Sequence, residues 1–143
     1  MIDLPTASQL GKPNWINNLD IQGWNSDSTI FPEMIKEVEP KLIIEVGTWK
    51  GASAIHMASL VKFLNLDTKI VCVDTWLGAL EMWTDREDKD RYLSLGLNLG
   101  YPTVYYQFLY NVIESGFGDI ISPFHRHHKL QLDILKQKIL DLI

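Results

Sequence analysis

Short apolar runs alternate along this chain with longer stretches of helical spacing. Leu42-Ile43-Ile44-Glu45-Val46 is a nearly continuous apolar run that halts at Gly47. That pattern predicts a parallel-sheet strand covered on both faces. Beyond Gly51 the period changes, and Ala54, Ile55, Ala58, Val61 and Leu64 recur at helical intervals, with Ser53 or Thr48 available as the cap. Asn65-Leu66-Asp67-Thr68 interrupts the helix, and Ile70-Val71-Cys72-Val73 predicts a second buried strand ending at Asp74. Helical spacing returns from Thr103 to Ser115 through Val104, Phe108, Val112 and Ile113, and stops at Gly116 and Gly118. A third short strand is expected over Asp119-Ile120-Ile121-Ser122-Pro123-Phe124. From Lys129 to Ile143 the chain is amphipathic, with Leu130, Ile134, Leu135, Ile139 and Leu142 along one side. Upstream, Pro32 behind Ser28 or Thr29 opens a helix at about 31–39, which Pro40 stops.

Alternation of this kind predicts an α/β fold, a Rossmann-like parallel sheet of about three strands with flanking helices and right-handed crossovers. Residues 1–28 read as an irregular lead-in whose Trp15 and Trp24 pack onto the domain. Residues 29–124 form the half-domain proper, and 125–143 a C-terminal amphipathic helix. The stretch 77–101 has no clear period, and Asp85-Arg86-Glu87-Asp88-Lys89-Asp90-Arg91 within it reads as a solvated loop or helix face rather than a ligand site.

Composition changes this picture only at the margins. A chain of 143 residues suits one domain with a real core. The net charge of −5 excludes a nonspecific binder of phosphate backbones, so no nucleic-acid partner is expected. The aromatics Tyr101, Tyr105, Tyr106, Phe108 and Tyr110 are therefore expected in core and dimer packing rather than base stacking. The single cysteine, Cys72, sits in an apolar run and reads as a small buried hydrophobe. No apolar run reaches spanning length and the first residues carry no leader pattern, so the expectation is a cytoplasmic protein without a membrane partner.

The candidate chemistry lies where the first strand runs into a glycine turn that opens a helix. Glycines let the backbone approach a ligand, and a helix N-terminus offers free N–H groups. Gly47 and Gly51, with Trp49 between them, depart from the dinucleotide G-x-G-x-x-G spacing, which weakens a nicotinamide-dependent oxidoreductase. Asp74 at the end of the next strand is either an acceptor for ribose hydroxyls or a strand-end charge.

Glu45-Val46-Gly47-Thr48-Trp49-Lys50-Gly51-Ala52-Ser53-Ala54, followed by Val71-Cys72-Val73-Asp74-Thr75-Trp76, resembles the first two motifs of class I S-adenosylmethionine-dependent methyltransferases. More narrowly it is similar to the branch of cephalosporin hydroxylase-like proteins and small-molecule or sugar O-methyltransferases. The resemblance covers residues 30–124. It implies S-adenosylmethionine as cofactor, S-adenosylhomocysteine as product and a small-molecule or sugar hydroxyl as acceptor. It implies that Glu45, Gly47 and Thr48 line the amino-acid end of the cofactor, with Gly51 and Ser53 completing the loop. Asp74 would hold the ribose, and Thr75 and Trp76 would flank the adenine. No catalytic residue is identified.

A complete fold of that class, as the resemblance implies, has about seven strands ordered 3-2-1-4-5-7-6, so this chain reads as its front half, truncated before the acceptor site. The runner-up reading is a noncatalytic nucleotide-binding or dimerisation module, an inactive fragment of the same family. In either case the strand at 42–46 is left with an open apolar edge, and a homodimer is expected, the final helix or first strand covering the partner's edge. His125, His127 and His128 read as a solvated loop rather than a metal site, and His56 as a packed or partly exposed helix residue; no bound metal is expected.

Overall fold

The computed structural model describes residues 4–85 and 87–125. Three strands, β1 (Leu42–Val46), β2 (Lys69–Asp74) and β3 (Ile121–His125), form one parallel sheet in the order β1-β2-β3. The fold is Rossmann-like α/β, as its alternating pattern predicts. Two helices make the crossovers: α3 (Ala52–Phe63) between β1 and β2, and α6 (Val104–Glu114) between β2 and β3. Both crossovers step the same way across the sheet, so right-handedness puts both helices on one face.

That face holds the main core. Ile43, Ile70 and Ile121 share one register row, with Glu45, Cys72 and Pro123 in the next row on the same face. Ala54, Met57, Ala58 and Val61 of α3 and Phe108, Leu109 and Val112 of α6 close over them. Helix α2 (Ile30–Val38) contributes Ile35 to this cluster. The opposite face behaves differently along its width. Val71 and Val73 of β2 are buried with Leu4, Leu42 and Phe124 around them, while Ile44 and Val46 of β1 are exposed, Val46 by 68%. The expectation that both faces are covered therefore holds for β2 and fails for β1, which among the described residues is one of the two edge strands, with β3 the other.

Elements at the margins correct the reading from sequence in several places. Helix α3 is capped by Gly51 in a left-handed conformation (φ 91), not by Thr48 or Ser53, whose hydroxyls are used elsewhere. The lead-in contains a one-turn helix, α1 (Ala7–Leu10). A reciprocal capping box holds it: the Gln9 N–H donates to the Thr6 hydroxyl and the Thr6 N–H donates to the Gln9 side chain. The stretch without a clear period contains two short helices, α4 (Leu80–Thr84) and α5 (Lys89–Leu93). Trp15 does pack, edge-on to Tyr106 at 5.4 Å, but Trp24 is 80% exposed. His125 is the last residue of β3, one position past the expected end of that strand, and its ring lies against Trp76 and Tyr105. It is not part of a solvated loop. His127, His128 and the helix expected over 129–143 lie outside the described residues. Among the described residues no helix is long and apolar enough to cross a membrane.

Candidate cofactor-binding site

β1 and β2 end side by side, with Val46 in register with Val73, so the turns after both strands meet beyond their C-terminal ends. Glu45 reaches from β1 into the first turn. Its carboxylate accepts hydrogen bonds from the Thr48 hydroxyl at 2.6 Å and from the Ser53 hydroxyl, and the Cys72 thiol points at it from 3.6 Å. One side chain thus ties the start of the turn, the first turn of α3 and the neighbouring strand together. Burial raises the Cys72 thiol well above its ordinary range, and the charge of Glu45 adds to the effect. The thiol therefore stays protonated, and the contact with Glu45 is a weak hydrogen bond from a neutral donor.

The second tie crosses between the turns. Asp74 Oδ2 accepts from the Trp49 N–H at 2.9 Å and Oδ1 from the Trp76 N–H at 2.8 Å. Each carboxylate oxygen keeps a further lone pair for an incoming hydroxyl. The Trp76 indole N–H donates to the Trp49 carbonyl at 3.1 Å, closing a loop of contacts around the glycine turn. Trp49 and Trp76 both hold positive φ, at 53° and 52°, a conformation that costs a non-glycine residue roughly 1–3 kcal/mol and persists only when neighbouring contacts fix it. Here the two bonds to Asp74 do so.

These turns form one wall of a cavity of about 760 Å³. Gly47, Thr48, Trp49, Ser53 and Asp74 line it from the strand ends, Gly78, Ala79 and Met82 from the segment after β2, and Arg91 and Ser94 from α5 and its end. The last wall is the lead-in, through Gln22, Gly23, Trp24 and Ser26. Of the eight residues singled out from sequence, Gly47, Thr48, Ser53 and Asp74 line this space. Glu45, Gly51, Thr75 and Trp76 do not. Gly51 lies against the Phe108 ring, and Thr75 accepts from the Leu77 N–H at 3.3 Å. Trp76 is buried against Tyr105, Phe108 and His125, so its ring supports the turn from behind and cannot flank an adenine in this conformation. Gly47, by contrast, has φ 83, and a Cβ there would meet nothing within 4 Å.

Sequence reasoning missed the lead-in wall and Arg91. The lead-in has no period to read, and its placement depends on partners far along the chain. Arg91 lies in the charge run that reads as solvated. It pairs with Asp88 at 2.9 Å, and its guanidinium lies 5.9 Å from the centre of the Trp24 ring, at the cavity. The one detectable signal was Asp88 followed three residues later by Arg91, a helix-start pair in which the Arg91 N–H donates to the Asp88 side chain. His56 is a partly buried residue of α3, within the expectation of a packed or partly exposed helix position, its Nδ1 2.6 Å from the Ser26 carbonyl and its ring edge-on to Phe31. No cluster of three or more His, Cys, Asp or Glu side chains suited to a metal occurs among the described residues.

Residues 10–88 match the family described as rhamnosyl O-methyltransferase/CmcI, and that match takes in the lead-in wall, the glycine turn and Asp74. Rhamnosyl O-methyltransferases of Mycobacterium bovis (strain BCG / Pasteur 1173P2) and Mycobacterium tuberculosis (strain ATCC 25618 / H37Rv) are each 32% identical to the chain over 71 residues. The aligned segment is 48% of this chain and 29% of the length of either relative. With more than half of its residues matched, this chain belongs to the rhamnosyl O-methyltransferase/CmcI family.

Proposed function

We propose that the cavity between the glycine turn and the lead-in binds S-adenosylmethionine, and that the chain serves methyl transfer to a hydroxyl of a small molecule or sugar. The observation that carries this reading is Asp74, a carboxylate at the end of β2 that lines the cavity and is held by two backbone N–H groups with acceptor capacity to spare. The donor set fits the cofactor: a carboxylate for the ribose hydroxyls, open space at Gly47, apolar surface from Ala79 and Met82, and a volume within the roughly 300–1,000 Å³ of small-molecule sites.

The residues then divide by role. Asp74 holds the ribose, and Gly47 lets the ligand approach the backbone. Thr48 and Ser53 present the turn at the amino-acid end, and Glu45 positions both through their hydroxyls. Gly51 starts α3 tightly against Phe108. Thr75 and Trp76 shape the second turn, and the adenine lies toward Gly78, Ala79 and Met82. When bound, S-adenosylmethionine supplies an electrophilic methyl group and leaves as S-adenosylhomocysteine. The chain's own contribution is orientation and exclusion of water.

Calorimetric titration with S-adenosylhomocysteine tests this. Saturable binding is expected, with no comparable binding of NAD. Asp74→Ala should weaken it by at least about tenfold, the loss of a charge-assisted hydrogen bond worth roughly 1.5–3 kcal/mol. The variant's thermal unfolding, measured alongside, separates lost affinity from lost fold. Equal affinity of folded variant and parent would remove Asp74 from the site. Turnover on a hydroxylated acceptor distinguishes an enzyme from a binding module. For assembly we propose a homodimer through the β1 edge, supported by the exposure of Ile44 and Val46 there.

A further inference from the structure

Residues 18–26 are held in place by several long-range contacts. Asn111, toward the C-terminal end of α6 and 0% exposed, gives two of its four amide hydrogen bonds to Asp20 of this segment. Its Oδ1 accepts from the Asp20 N–H at 3.0 Å and from Gln107 Nε2 at 2.9 Å. Its Nδ2 donates to the Asp20 carbonyl at 2.8 Å and to the Lys50 carbonyl at 2.9 Å. Gln107 Nε2 also donates to the Asn18 carbonyl at 3.0 Å. The buried Lys50 ammonium pairs with the Asp20 carboxylate at 2.5 Å, and the Trp49 indole N–H donates to Gln22 Oε1 at 3.3 Å. Further along, the Ala52 N–H donates to the Gln22 carbonyl at 3.4 Å, and Gly23 comes so near α3 that a Cβ on it would sit 2.9 Å from the Ala52 Cβ.

A fully buried amide that satisfies both ends of one residue in a segment without regular structure fixes that segment more firmly than apolar contact would. What it fixes is functional surface, because Gln22, Gly23, Trp24 and Ser26 are a wall of the large cavity. The same amide also grips the Lys50 carbonyl, inside the glycine turn that forms the adjoining wall. We propose that Asn111 is a positioning residue that sets the distance between these two walls, and that docking of residues 18–26 and occupancy of the cavity are thermodynamically coupled. The coupling rests on the reading of the cavity as a nucleoside site; the docking does not. A segment that must be in place for the ligand to be held is in turn held by the ligand, by the same factor.

Hydrogen exchange on the full chain tests both halves, using Asn111→Ala, Gly23→Ala and the pair Gly23→Ala/Ala52→Gly. Without ligand, both single variants should exchange faster across residues 18–26 while the β2 amides keep their protection. The double variant should regain protection, because the Cβ that Gly23→Ala would strike is gone. Saturating S-adenosylhomocysteine should restore protection in the single variants, with an affinity about tenfold weaker than the parent's. If Asn111→Ala loses β2 protection as well, Gly23→Ala, which leaves α6 untouched, decides the docking. Unchanged exchange over 18–26 in Gly23→Ala overturns the docking. Faster exchange with undiminished affinity overturns the coupling. A parent protein that binds no S-adenosylhomocysteine overturns the cofactor reading and the coupling, and the ligand-free exchange still decides the docking.

Discussion

Glu45 and Cys72 face one another across the β1–β2 register, and burial, with this proximity added to it, decides how the thiol titrates. Burial first, and then the charge of Glu45, raise the thiol well above its ordinary value of 9.0. In the unfolded chain it ionises near that ordinary value. Below it both states keep the proton, and the thiol adds no pH dependence. Above it the unfolded state loses the proton first, so stability falls as pH rises toward the folded-state value, at up to about 1.4 kcal/mol per pH unit for one group. Thermal unfolding of the parent should therefore steepen with pH above about 9 relative to Cys72→Ala, and parallel curves would contradict the assigned cause. Cys72 was legible as a buried hydrophobe from the apolar run around it. Trp76 was not legible, because its backbone takes positive φ beside Asp74 and its ring packs against α6, and no spacing in the sequence signals either fact.

The turn between β1 and α3 separates two uses of glycine. Gly51 has φ 91, and an added Cβ would lie 3.1 Å from the Phe108 ring in the core. Gly51→Ala therefore combines backbone strain with a clash, and a destabilisation of about 2–4 kcal/mol is expected. Gly47 has φ 83 with open space at the Cβ, so Gly47→Ala costs only the strain, about 1 kcal/mol. Its effect should fall on binding, since the methyl enters the space a ligand would use. Melting curves and S-adenosylhomocysteine titrations of the two variants should rank them in opposite orders. The same ranking for both measurements would mean that Gly47 is structural too. At this scale β1, β2, α3 and α6 were readable because each has a long enough apolar period to announce itself. Helices α4 and α5 are five residues each and bury none of their side chains, so they carry no period to find. Helix α1 did carry a signal in Thr6 and Gln9, but a single turn with one buried residue, Ala7, is too short to stand out from an irregular lead-in.

In the sheet as a whole, cover stops between β2 and β1. On the face away from α3 and α6, Val71 and Val73 are closed in, whereas Ile44 is 38% and Val46 68% exposed in the adjacent strand. The outer edge of β1 has no strand beside it among the described residues, so exposed apolar side chains and unpaired backbone groups coincide there. That combination favours association, since burial of apolar area and completion of the hydrogen-bond ladder reinforce each other. A second copy is the simplest partner, because two identical edges related by a twofold axis can meet in a closed interface. Sedimentation of the parent at micromolar concentration should give the dimer mass, and Val46→Lys should give the monomer. A lysine at this edge retains its flexible stem but places a charge in an apolar interface, and it leaves the α3–α6 core untouched. The variant should therefore dissociate with its unfolding transition still cooperative. A parent that is monomeric at every concentration rules out the homodimer, and an unchanged dimer in Val46→Lys moves the interface away from β1.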